Sequence, residues 1–184
     1  LNNTLAWVSA EMENTVTEKQ PTDLAKLGEI MKETMEVQAQ NKGQTIVFEL
    51  IGANKTVLLE SKEVKIILKN LMDNAIKFTK PGETIKLILK VENEKIRWEV
   101  KNPGELIAEN LRASLFDFKV KSSLGTQKEK GTGIGLTLCK KIAESLGMRL
   151  GYLTENQQNI FFLEIDMDSS QYHTQALGSM SAND

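Results

Sequence analysis

The chain is 184 residues long, 40% hydrophobic and 26% charged, the balance of a globular domain that can bury a core. Its formal net charge of −2 gives no electrostatic footprint for nucleic acid or an anionic membrane. A single cysteine, Cys139, excludes an intramolecular disulfide framework and fits a reducing compartment, and no apolar run approaches the ~20 residues of a membrane span.

Leu1, Leu5, Val8, Met12 and Val16 mark a helix with a narrow apolar seam, which suits either pairing with another helix or packing on its own domain. The chain opens without a methionine and already in helical pattern, so it reads as a piece of a longer protein. Pro21-Thr22 breaks that pattern, with Thr22 as the expected N-cap of a second helix through Leu24, Leu27, Met31 and Met35. That helix should end near Asn41-Lys42-Gly43. Thr45–Leu50 and Thr56–Leu59 read as strands, separated by Gly52-Ala53-Asn54. Ser61 is the expected cap of a long helix whose buried face is Val64, Ile67, Leu68, Leu71, Ala75 and Ile76, stopped by Pro81-Gly82.

Thr84–Val91 and Lys95–Lys101 alternate as a hairpin around Asn93-Glu94. Regularity fails from Asn102 to Gly133, apart from a short helical stretch near Asn110–Leu115, and a loop of that length is usually functional. Ile134, Leu138, Ile142 and Leu146 form a helical stripe capped by Gly147, and Arg149–Thr154 with Asn159–Met167 form a closing hairpin. The polar stretch from 168 to 184 has the composition of disorder. Strands and helices do not alternate strictly, so the expected fold is a two-layer α/β sandwich: a mixed, mostly antiparallel sheet with helices on one face.

Three clusters carry possible chemistry. Asn70, Asn74 and Lys77 fall at i, i+4 and i+7, on one face of the long helix, opposite its apolar face. Asparagine is poor in a helix interior, and two of them aligned with a lysine suit a hydrated Mg²⁺ and phosphate, or else a solvated surface. Gly131-Thr132-Gly133-Ile134-Gly135-Leu136 places alternate glycines at a helix start, where backbone N–H groups can approach an anion; a plain hinge would look the same. It lacks the Gly-Lys-Ser/Thr ending of a Walker loop and the third glycine of a dinucleotide fingerprint. The third cluster is the turn Asn102-Pro103-Gly104, followed by a stretch with Phe116, Phe118, Lys119, Lys121, Lys128 and Lys130 that fits either a phosphate-covering lid or a charged loop.

In this order the clusters resemble the catalytic domain of sensor histidine kinases, of the superfamily shared with type II topoisomerases, heat-shock chaperones and mismatch-repair ATPases. Asn70–Thr79 resembles the asparagine box, Phe116-Asp117-Phe118 the phenylalanine box and Gly131–Leu136 the second glycine box, over about residues 22–167. The resemblance implies ATP and Mg²⁺ as cofactors, with Asn74 on the metal, Asn70 at the metal and phosphate end, and Lys77 on the phosphates. It gives Asn70 and Lys77 the catalytic part, and gives Phe116, Lys121, Gly131, Thr132, Gly133, Ile134, Gly135 and Leu136 contacts with nucleotide or lid. Asn102-Pro103-Gly104-Glu105-Leu106 stands where the first glycine box of the family reads Asp-x-Gly-x-Gly, so Asn102 replaces its aspartate and Leu106 its second glycine. Asn102 and Gly104 would then meet adenine, and an aspartate at 102 would be expected to bind it more tightly through a charge-assisted bond.

Residues 1–20 would be the end of a dimerisation helix pair, 21–167 the catalytic domain and 168–184 a tail. The implied reaction is transfer of the ATP γ-phosphoryl to a histidine outside this chain, since the one histidine, His173, lies in the tail. Implied partners are the phosphoacceptor helix of the same or a partner subunit, a response regulator and a second copy in a homodimer, with no nucleic acid and no membrane contact. The implied location is the cytoplasm, the parent being free to be membrane-anchored. Two alternatives are an ATP hydrolase, which would carry a glutamate where this chain has Asn70, and a non-catalytic nucleotide-binding switch.

Overall fold

The computed structural model describes residues 17–117, 125–128 and 133–167, so the expected dimerisation helix over 1–16 and the tail from 168 lie outside the described residues. Its elements are β1 (Gln20–Asp23), α1 (Leu24–Asn41), β2 (Thr45–Gly52), β3 (Thr56–Leu59), α2 (Ser61–Phe78), β4 (Thr84–Glu92), β5 (Lys95–Pro103), α3 (Glu109–Arg112), α4 (Gly135–Ser145), β6 (Arg149–Glu155) and β7 (Gln158–Asp166).

The main sheet has the order β2-β4-β5-β7-β6. Among the described residues only β2 and β4 pair in parallel, and β3 with α2 forms the crossover between them. The other three pairings are antiparallel, two of them through tight hairpins. At those hairpin tips Asn93 and Glu94 take φ of 48° and 61°, and Asn156 and Gln157 take 48° and 59°. Consecutive positive φ values are what two-residue hairpins matched to strand twist require.

Alternation along the strands sends one set of side chains into the core: Leu87 and Leu89 of β4, Ile96, Trp98 and Val100 of β5, Leu163 of β7. Leu24, Leu27, Met31 and Met35 of α1, Ile67, Leu68, Leu71 and Met72 of α2, and Cys139 and Ile142 of α4 cover that face. The result is a two-layer α/β sandwich. The opposite face carries ion pairs, including Lys86–Glu49 at 2.7 Å, Arg97–Glu99 at 2.8 Å and Arg149–Glu164 at 2.8 Å. The Arg97 guanidinium also lies 4.0 Å from the centre of the Phe162 ring.

Four local expectations are corrected. Gln20–Asp23 is not a break between helices but a strand, paired antiparallel with β3 in a separate two-stranded sheet. The N-cap of α1 is Asp23 rather than Thr22: its carboxylate accepts the Lys26 N–H at 3.0 Å, which holds that carboxyl below its ordinary range. Ser61 is the first residue of α2; Glu60 holds the cap position and makes no side-chain capping bond. On α4 only Ile142 of the expected stripe is fully buried, the deep face being Thr137, Cys139, Ile142 and Ala143.

Gly28 on α1 shows how closely the layers meet, because a Cβ there would lie 2.2 Å from the Phe48 ring. Phe48 is in turn stacked with Trp98, centroids 6.4 Å apart. Alanine in mid-helix would normally gain about 1 kcal/mol over glycine, while overpacking costs about 1–3 kcal/mol. Gly28→Ala should therefore lower stability on balance, by about 1 kcal/mol in urea denaturation. Combining it with Phe48→Leu should cost less than the sum of the two single changes.

Candidate functional site

α2 has two faces because its apolar residues recur at helical spacing, leaving Asn70, Asp73, Asn74 and Lys77 half-buried on the other side. The Asn70 amide N–H donates to the Ile66 carbonyl, one turn back, at 2.8 Å. A carbonyl can only accept, so this contact fixes the amide and leaves its Oδ1 facing away. That oxygen faces the start of α4: a Cβ on Gly135 would lie 3.0 Å from it. The structure thus brings the asparagine run and the glycine run into contact, with Asn74 one turn further along α2.

Gly133 takes φ 71°, and Ile134 stands at the cap of α4 without a side-chain capping bond, so backbone N–H groups open this end of the helix. Ile134, Gly135 and Leu136 are half-buried there. Lys121, Gly131 and Thr132, with Phe118, lie outside the described residues. Phe116 packs edge-on against Phe161, centroids 6.2 Å apart at 88°, and Asp117 pairs with Lys140 of α4 at 3.0 Å. This pair is half-exposed, a class worth about 0–1 kcal/mol, so the aromatic contact is the firmer anchor.

The C-terminal end of α2 is closed by groups the sequence did not single out. The Lys42 ammonium, buried, donates to the Ile76 and Lys77 carbonyls at 2.8 and 2.9 Å. Gln44 Nε2 donates to the carbonyls of Ile76 at 2.8 Å and Thr79 at 2.6 Å. Thr126 donates its N–H to the Lys77 carbonyl at 3.0 Å and its hydroxyl to that of Thr79 at 3.1 Å. The Phe78 carbonyl faces Gly104, where a Cβ would lie 2.9 Å from it and where φ is 138°, so only glycine fits. The Lys77 ammonium lies 4.8 Å above the Phe78 ring, at the same end of the helix.

Asn102, 3% exposed, sits at the end of β5 beside this carbonyl cluster. Its amide N–H groups donate to Thr79 Oγ1 at 3.1 Å and to the Pro103 carbonyl at 2.8 Å. Beyond Gly104 the chain is carried by Asn159, whose Nδ2 donates to the Glu105 carbonyl at 3.2 Å. Asn159 Oδ1 accepts the Tyr152 hydroxyl, which accepts the Ile107 N–H at 3.2 Å. Leu106, where the first glycine box has a glycine, points partly to solvent.

No three His, Cys, Asp or Glu side chains converge to hold a metal among the described residues. A cation at this site would therefore rest on amide oxygens, which suits a hard ion that keeps most of its ligands as phosphate and water. A cavity lined by Val57, Leu59, Ile96, Leu146, Met148 and Ile165 lies at the other end of β5 and touches none of these residues. Among the described residues no helix is long and apolar enough to cross a membrane.

With this geometry, residues 60–169 match the family of histidine kinase-, DNA gyrase B- and HSP90-like ATPases, and the chain belongs to that family. Among curated relatives it is 29% identical over 133 residues to the aerobic respiration control sensor protein ArcB of Escherichia coli K12, covering 71% of this chain and 17% of ArcB. It is 34% identical over 107 residues to the sensor histidine kinase AruS of Pseudomonas aeruginosa, covering 55% of this chain and 11% of AruS. The chain thus spans less than a fifth of the length of these relatives. The solved catalytic domain of the histidine kinase ThkA matches with a TM-score of 0.72 and 27% identity, over 81% of this chain and 95% of that one. Full-length ShkA, solved with AMPPNP, matches with a TM-score of 0.74 and 25% identity, over 85% and 33%.

Cys139 gives a test of how tightly α4 is seated on α2. Its thiol is fully buried, contacts the Ile67 carbonyl at 3.8 Å, and is pushed up to about 12 by desolvation. The neutral form is thus favoured by folding, so this contribution to stability is complete below the ordinary thiol range of about 8.5 and lost as pH rises through it towards about 12. A thiol reagent at mildly alkaline pH should modify Cys139 only when the chain unfolds. Rapid labelling of the native chain would show that α4 detaches.

Proposed function

We propose that this chain is the ATP-binding catalytic domain of a two-component sensor histidine kinase. It binds Mg-ATP between α2 and the start of α4 and donates the γ-phosphoryl to a histidine on a partner helix. The observation that carries the reading is the juxtaposition of Asn70 Oδ1 with the Gly135 backbone, in a chain of this ATPase family. Phosphoryl transfer asks a protein chiefly for positioning and charge stabilisation. Asn74 and Asn70 would hold the cation, which offsets phosphate charge when bound. Lys77 would meet the phosphates, and N–H groups at the start of α4 would meet phosphate oxygens.

A kinase is favoured over a hydrolase at Asn70. A hydrolase of this superfamily needs a general base there to take a proton from water, and an amide held by the Ile66 carbonyl cannot act as one. The remaining partners follow from the same reading: a response regulator that receives the phosphoryl group, a second subunit in the full-length protein, and a cytoplasmic location for this domain.

Two measurements test this. Asn74→Ala should abolish Mg-dependent ATP binding in calorimetry with the melting temperature little changed, because Asn74 stands on the polar face of α2. Binding equal to that of the parent would remove Asn74 from the metal. Incubated with γ-labelled ATP, the 184-residue chain should bind nucleotide without labelling itself at His173. Addition of a helix carrying the acceptor histidine should give acid-labile, base-stable label. ATP binding without transfer to that helix would favour a non-catalytic switch.

A further inference from the structure

The expectation that an aspartate would serve better at position 102 rests on its charge-assisted bond to the base alone. The structure shows what the other end of the amide does. Nδ2 of Asn102 lies 2.8 Å from the Pro103 carbonyl, which has no proton to give, so the atom facing it must be the donor. The same nitrogen lies 3.1 Å from Thr79 Oγ1, and Thr79 is fully buried. Both N–H groups are therefore engaged within the protein, and Oδ1 is the atom left to meet a ligand.

Resting on the nucleotide-binding reading above, we propose that Thr79 and the Pro103 carbonyl lock the Asn102 amide so that it presents an acceptor to the exocyclic amino group of adenine, Thr79 acting as a positioning residue for base selection. An aspartate at 102 would place a carboxylate oxygen 2.8 Å from the Pro103 carbonyl, lone pair against lone pair. It would also leave a charge at a position only 3% exposed. Thr79 could turn its hydroxyl to donate to a carboxylate, but Pro103 offers no such reversal. The neutral amide is thus the fitted group in this chain, and the sign of the Asn102→Asp change is reversed: ATP binding weakens.

The test is calorimetric titration of the 184-residue chain and its variants with Mg-ATP and Mg-ITP, whose base carries a carbonyl oxygen in place of the amino group. The parent should prefer ATP. Thr79→Val should lose ATP affinity by about three- to tenfold, the worth of one neutral hydrogen bond, while ITP affinity holds, so that selectivity narrows. General damage to the site would instead lower both together, and that result would overturn the positioning role. Thr79→Ser, which keeps the hydroxyl, should restore the preference; failure to do so in a folded variant would also overturn it. Asn102→Asp should bind ATP more weakly than the parent, and tighter binding would overturn the lock while leaving nucleotide binding intact. A parent chain that binds neither nucleotide would refute the functional reading and this inference with it.

Discussion

The buried C-terminal end of α2 is the constraint on which the rest of the site depends. A helix leaves its last carbonyls without intrahelical partners, and here they end inside the protein rather than in water. The carbonyls of Ile76, Lys77 and Thr79 are met by Lys42 and Gln44 from the end of α1 and by Thr126 from the segment after the phenylalanine run. A buried ammonium is costly in general, but at this pole of a helix its charge opposes the negative end of the dipole and its protons are taken. Satisfying the helix end therefore draws together the end of α1 and the 125–128 segment, beside which Asn102 at the end of β5 donates to the Thr79 hydroxyl. The polar face of α2, with Asn70, Asn74 and Lys77, begins just above that junction.

This arrangement separates two duties along one helix. The apolar face of α2 fixes its height and rotation on the sheet, and the opposite face is left to amides and a lysine. Asn70 is held by the Ile66 carbonyl of its own helix and faced by Gly135, which fixes the direction of its amide oxygen. Preorganised dipoles of this kind need no reorganisation when charge develops, which is where such sites gain most. A larger residue at 135 would displace the amide, so the glycine belongs to the asparagine site as much as to the loop that precedes α4.

The parts of this legible in the sequence are those written in local periodicity. The 3.6-residue spacing of α2, the alternation of β4 and β5 and the glycine run at α4 each need only a short window. What was missed is non-local. Gln20–Asp23 contains a proline and no alternation, and becomes a strand only because β3 lies beside it. Lys42 and Gln44 read as loop polar residues, and nothing near them announces the helix end, about 35 residues away in sequence, that they close. Asn159 and Tyr152 likewise acquire their part only when β7 lies against β5. Thr22 reads as the cap, but it lies inside β1 opposite Val57 with its hydroxyl given to the Gln20 carbonyl, and Asp23, next to the helix, takes the position.

The parallel pairing of β2 with β4 has a consequence in time. Parallel neighbours cannot be joined by a tight turn, so the chain leaves the sheet after Gly52 and returns at Thr84, and α2 lies within that excursion. The helix bearing the polar face is therefore a crossover, held in place only once strands far apart in sequence have met. Loop closure on that scale must be completed before the contacts that reward it exist, which places such domains among the slower folders. A nascent or partly denatured chain would hold every residue of the asparagine and glycine runs and none of their geometry, so competence should appear late and all at once during folding.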